Sequence, residues 1–154
     1  MIPAIWRTAA MAFLLVWSMP LLPAEIGISN NSALVFGSFA AGSGGTVTVN
    51  TSGTCSAGGS VIIVVADCAA AGFTVTGDPN FSYSIDLPAD NFVTLSGPGS
   101  DMKVTSFSSD PTAANGLLSA GGSQYVSVGG TLVIGNGQAP GSYSGSFSVI
   151  VNYN

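Results

Sequence analysis

Tyr143-Ser144-Gly145-Ser146-Phe147-Ser148-Val149-Ile150-Val151-Asn152-Tyr153-Asn154 closes the chain, and its alternation decides the fold class. Tyr143, Phe147, Val149, Val151 and Tyr153 share one side, with Gly145 in the same register. Ser144, Ser146, Ser148 and Asn152 share the other, and Ile150 is the one apolar exception. A period of two with a single apolar face describes a β-strand that meets a core on one side and water on the other.

The same period recurs upstream. Thr46-Val47-Thr48-Val49 alternates cleanly, as do Phe73 and Val75, and then Phe81, Tyr83, Ile85 and Leu87. Asp78-Pro79-Asn80 supplies turn chemistry between the last two runs. Leu34 to Phe36, Phe92 to Leu95, Met102 to Phe107, Gln124 to Val128 and Thr131 to Ile134 read as further strands. Val61-Ile62-Ile63-Val64-Val65 is continuously apolar, which predicts a central strand covered on both faces. No helical period persists, and only Pro111 to Ala120 has room for a short helical turn. Roughly eight or nine strands at close spacing, punctuated by Gly, Ser, Thr and Asn, predict an all-β fold with a single antiparallel β-sandwich.

The first 24 residues belong to a different class. Met1 to Arg7 carries one positive charge, an apolar run leads through Phe13, Leu14, Leu15 and Val16, and Pro23-Ala24 supplies a small-residue exit. That order predicts a secretory signal peptide over 1–24, cleaved near Ala24–Glu25. An uncleaved anchor is the alternative, but Pro20 and Pro23 interrupt the run and it falls short of the roughly 20 apolar residues of a spanning helix. The expected destination is the periplasm in transit and then the cell surface or medium, with no direct membrane insertion once mature. Residues 25–33 then form a short N-terminal segment, and 34–154 the β-sandwich domain.

Composition excludes several functions. The 154 residues hold two Lys or Arg, seven Asp or Glu and no His, for a net charge of −5. Without the leader, Lys103 is the one basic side chain, so nothing is present to neutralise phosphates and nucleic acid is not an expected partner. Ser-His-Asp and Cys-His arrangements cannot be built without histidine. The carboxylates are scattered; Asp86 and Asp90 flank Pro88 as turn residues rather than as a paired-acid or calcium site. The expectation is no enzyme, no metal and no cofactor. Cys55 and Cys68 are the only cysteines and predict one disulfide in an oxidising compartment, with two free thiols as the alternative.

Three stretches, Leu34 to Val49, Gly72 to Pro79 and Pro140 to Asn154, resemble a family of secreted bacterial β-sandwiches catalogued as domain of unknown function 4402. That family is in turn similar to pilin subunits of the chaperone–usher type. The resemblance implies an immunoglobulin-like or pilin-like sandwich. It also implies an assembly role for Gly141 (fourteenth from the end), Phe147, Val149, Val151 and the penultimate Tyr153. In such proteins an incoming strand pairs along an open edge and fits side chains into alternate pockets. The implied partners are like or related subunits, a periplasmic chaperone and an outer-membrane usher. One departure stands out: a donor strand confined to Glu25–Ala33 would be short, with Ile26 and Ile28 alternating before Ser29 to Ser32, which read as a turn. Two functions follow: a structural subunit of a surface fibre or coat assembling by strand addition, or a self-contained binding module recognising glycan or protein through loops such as Gly97–Asp101 and Asp110–Asn115.

Overall fold

A computed structural model describes residues 22–154, so most of the expected leader lies outside the described residues. The architecture is all-β, and every ladder is antiparallel. At its centre lies β11 (Ser123–Ile134), which joins two runs that read as separate strands in the sequence. Gly129-Gly130 explains the continuity. A β-carbon on Gly129 would collide with the Val49 carbonyl, so only glycine lets the neighbouring backbone come this near.

Here β11 changes partner. Its first half pairs with β6 (Ala71–Thr76) and its second half with β3 (Gly45–Val49) on the same edge. The opposite edge carries β9 (Met102–Asp110), which overlaps both halves. Outside these lie β1 (Gly27–Ser32) on β6, β4 (Cys55–Gly59) on β3, and β8 (Val93–Leu95) on β9. The β9–β11 ladder contains a bulge: Gly130 faces both Ser106 and Phe107 between the pairs Gly129–Ser108 and Thr131–Thr105. Ser106 has a φ of 52°, and its N–H donates to Asp90 Oδ1 at 2.6 Å, so a carboxylate read as a turn residue fixes the bulge.

A second, three-stranded sheet faces this one, in the order β10 (Gly116–Leu117), β7 (Ser82–Asp86), β12 (Ile150–Tyr153). The Asp78–Asn80 turn therefore joins strands in opposite layers. Between the layers, Phe73, Val75, Tyr83, Ile85, Leu118, Val126, Val128 and Val151 form one buried cluster. Phe36, Val47, Val49, Val93, Met102, Val104, Leu132 and Ile134 form another. Leu34, Phe107 and Phe147 touch both clusters. At roughly 1.5–3 kcal/mol for each large apolar side chain removed from water, these clusters dominate the stabilising side of the balance.

Three local expectations are corrected. Ser29 to Ser32 do not turn; they belong to β1, because β6 offers an edge for their backbone while their polar side chains face solvent. Pro111 to Ala120 hold no helical turn but a loop and the two-residue β10. The apolar run Val61–Val65 is not a central strand. Its core, β5 (Ile62–Val65), pairs among the described residues only with β2 (Ser38–Ala40), in a two-stranded ribbon. Val61 is buried, yet Ile62 and Val64 are each 67% exposed.

Candidate functional site

The tail shows what periodicity reads and what it misses. Val149 and Val151 are buried, Phe147 and Tyr153 are half-buried, and Ser144, Ser146, Ser148, Ile150 and Asn152 face outward, as the alternation predicts. The pairing is another matter. Ser144 bridges Ser96 through two backbone hydrogen bonds of 2.9 and 3.0 Å, and Ile150 begins β12 on β7. Between them, Gly145 to Val149 make no backbone hydrogen bond among the described residues. Among the described residues the outer edge of β12 also carries no strand, since β12 ends its sheet.

Apolar clefts flank this unpaired segment on both sides. One, of about 250 Å³, runs between Gly145–Phe147 and the chain after β1; Leu34, Phe36, Phe73, Leu95 and Phe107 line it, and none of its lining residues is ionisable. The other, of about 480 Å³, lies toward the β7–β8 connection and is lined by Leu87, Pro88, Phe92, Thr94 and Ile150. Asp86 is the one charged residue of its lining, and Phe92 is 81% exposed. Backbone that lacks partners beside apolar pockets is the arrangement a strand recognises: its main chain makes the ladder and its alternate side chains fill the pockets.

The remaining residues singled out in the sequence are placed as follows. Phe147 packs edge-to-face on Phe73 (ring centroids 6.2 Å apart) and tilted against Phe107 (5.3 Å), and it lines both clefts. Gly141 does not touch this site. Its φ of 144° and the close approach of Pro98 leave no room for a β-carbon, which gives a local reason for glycine there. Tyr153 fastens the tail: its hydroxyl accepts from Asp78 N at 2.7 Å and donates to the Ala24 carbonyl at 3.0 Å. Ile26 and Ile28 pack against the protein's own core, and Ile28 pairs with Val75. Cys55 and Cys68 are bonded, tying β4 to the chain that follows β5. The Gly97–Asp101 loop is pinned beneath Tyr143 and by Gln138, which donates to Ser100 O at 2.5 Å. In the Asp110–Asn115 loop, Ala113 O accepts from Ile85 N at 2.7 Å.

Among the described residues no His, Cys, Asp and Glu cluster is arranged to hold a metal, and no helix is long and apolar enough to cross a membrane. The family model described as Domain of unknown function (DUF4402) matches residues 26–153. The chain belongs to the DUF4402 family. No curated protein and no solved structure matches it. The DUF4402 match begins at Ile26, so β1 lies inside the family's span, in agreement with its place on the sheet. Phe92 and the unpaired Gly145–Val149 backbone are the parts of the site that strand patterns did not reveal, since neither exposure nor a missing partner leaves a period in the sequence.

Proposed function

We propose that this chain is an exported, non-catalytic structural subunit of a bacterial surface fibre or coat, joined to its neighbours by β-strand addition along Gly145–Val149. The observation that carries the reading is the unpaired stretch of backbone with an apolar cleft on each side. The incoming strand is extended and uncharged, with apolar side chains at alternate positions, because the first cleft offers no ionisable group to pair with a charge. A periplasmic chaperone and an outer-membrane usher are the partners such a route requires. With β1 held on its own β6, this subunit receives a strand more readily than it gives one.

One feature favours a second reading, a self-contained binding module. β1 completes its own sheet edge and Tyr153 closes the tail onto the Asp78 turn, so the fold is fastened at both ends without a neighbour. Purification without any partner separates the two. A subunit that needs a strand aggregates or is proteolysed, and an added alternating apolar peptide both rescues it and slows amide exchange from Ser146 to Val149. A stable monomer with a cooperative melt, indifferent to such peptides, would replace the subunit reading with the module.

A further inference from the structure

We propose that Asn136–Gly137 is a modification site, where the asparagine side chain converts without an enzyme to aspartate and isoaspartate. The sequence holds two Asn-Gly steps, Asn115-Gly116 and Asn136-Gly137. Glycine after asparagine favours this chemistry because no β-carbon shields the following backbone nitrogen or restricts its rotation. The motif treats the two steps alike, and the structure separates them.

The step is an intramolecular substitution. The Gly137 nitrogen gives up its proton to hydroxide and attacks the side-chain carbonyl carbon of Asn136. The new C–N bond closes a five-membered succinimide, and the side-chain nitrogen leaves as ammonia. Water then opens the ring at either of its carbonyls. Breaking the new bond gives aspartate; breaking the original peptide bond leaves the chain running through the side chain, which is isoaspartate. One water is consumed for each ammonia released, and no oxidant or cofactor takes part.

Ring closure needs a carboxamide free to turn, a following nitrogen outside any ladder, and room for the backbone to rotate. Asn136 and Gly137 are exposed in the turn after β11, and the side-chain bond that holds this turn comes from Gln138 instead. At Gly137, whose φ is 63°, a β-carbon would meet nothing within 4 Å, so the backbone has open space beside it. Its N–H donates to Gly42 O at 3.3 Å, just beyond the usual range, so little is lost when it lets go. Asn115 is held at every one of these points. Its carboxamide donates to Thr112 Oγ1 at 2.6 Å and its N–H to Thr112 O at 2.8 Å. Gly116 is buried in β10 opposite Tyr83, whose ring and carbonyl crowd it.

Each event adds one negative charge to a protein already at −5. Isoaspartate also inserts one carbon into the main chain between β11 and Gln138, which holds the Gly97–Asp101 loop. Both changes lie outside Gly145–Val149, so the site does not depend on the strand-addition reading. The test incubates protein expressed from its full coding sequence at neutral and mildly alkaline pH and follows its peptides by mass spectrometry. The amide-to-acid mass gain accumulates on Asn136 about tenfold or more faster than on Asn115, whose hydrogen bonds must break first. Isoaspartyl methyltransferase labels the product, and the rate rises with pH because the attacking nitrogen must lose a proton. Asn136→Gln suppresses the acidic form on isoelectric focusing, since its longer side chain closes a slower six-membered ring. In urea-unfolded protein the two asparagines react at similar rates. Equal rates on the two in the folded protein, or an Asn136 that stays intact there while the unfolded chain reacts, overturns the inference.

Discussion

Gly141 and Tyr83 are single residues whose surroundings set the cost of changing them. A β-carbon at Gly141 meets the Pro98 ring, and a φ of 144° strains any other residue. Gly141→Ala should therefore lower the stability of the isolated protein by about 1–2 kcal/mol in urea denaturation. A glycine kept only for recognition by an assembly partner would show no such loss, so the measurement separates the turn from the assembly role. Tyr83 is fully buried, and its hydroxyl donates to Gln124 Oε1 at 2.7 Å. The same Gln124 oxygen accepts from Leu117 N at 2.9 Å, so one side chain on β11 holds β7 and β10 of the facing sheet. Tyr83→Phe removes one of these two bonds and should cost about 1 kcal/mol in the same assay. Alternation predicted that Tyr83 faces inward; its partner was not legible, because a glutamine 41 positions away leaves no local mark.

At the level of elements, β4 and β5 depend on a covalent tie more than on a core. The Cys55–Cys68 bond closes a loop with a sequence separation of 13 around a ribbon whose outer face is bare. In the chain-entropy account such a loop contributes about 3 kcal/mol. Cys55→Ser/Cys68→Ser should accordingly reduce the unfolding free energy by about 3 kcal/mol, checked by denaturant titration of the two proteins side by side. How far these elements could be read depends on what a pattern encodes. Thr46 to Val49 and Tyr83 to Ile85 were legible because one face of each meets the core and the other does not, whereas Phe81, in the same alternation, is 52% exposed and precedes β7. Val61 to Val65 were misread because a run of β-branched residues reports β preference, and nothing in it says whether a second layer of the same chain covers the outer side. The tail was half legible: its faces follow from alternation, while the hydrogen bonds missing from Gly145 to Val149 depend on where distant β7 and β8 diverge.

For the molecule as a whole, acid and base act unequally. Burial raises the Tyr83 phenol above its ordinary value of 10.0. The unfolded chain thus loses this proton at a lower pH than the folded one, and stability is full below about pH 10 and falls as pH rises beyond it. Thermal melts of the wild type should drop more steeply above pH 10 than those of Tyr83→Phe; parallel curves would mean that the phenol ionises without opening the fold. Fold class was legible at this scale because alternation, turn residues and the lack of a helical period agree, whereas the division of β11 between two neighbours rests on the close approach at Gly129. The facing sheet also has a temporal side. β7 lies between β10 and β12, and β12 comes after every other described strand in chain order. Val149 and Val151 thus reach their cluster only after the strands that they cover have been made. Until then the layer over Phe73, Val126 and Val128 is half-built, and truncation before Val149 would leave it open permanently.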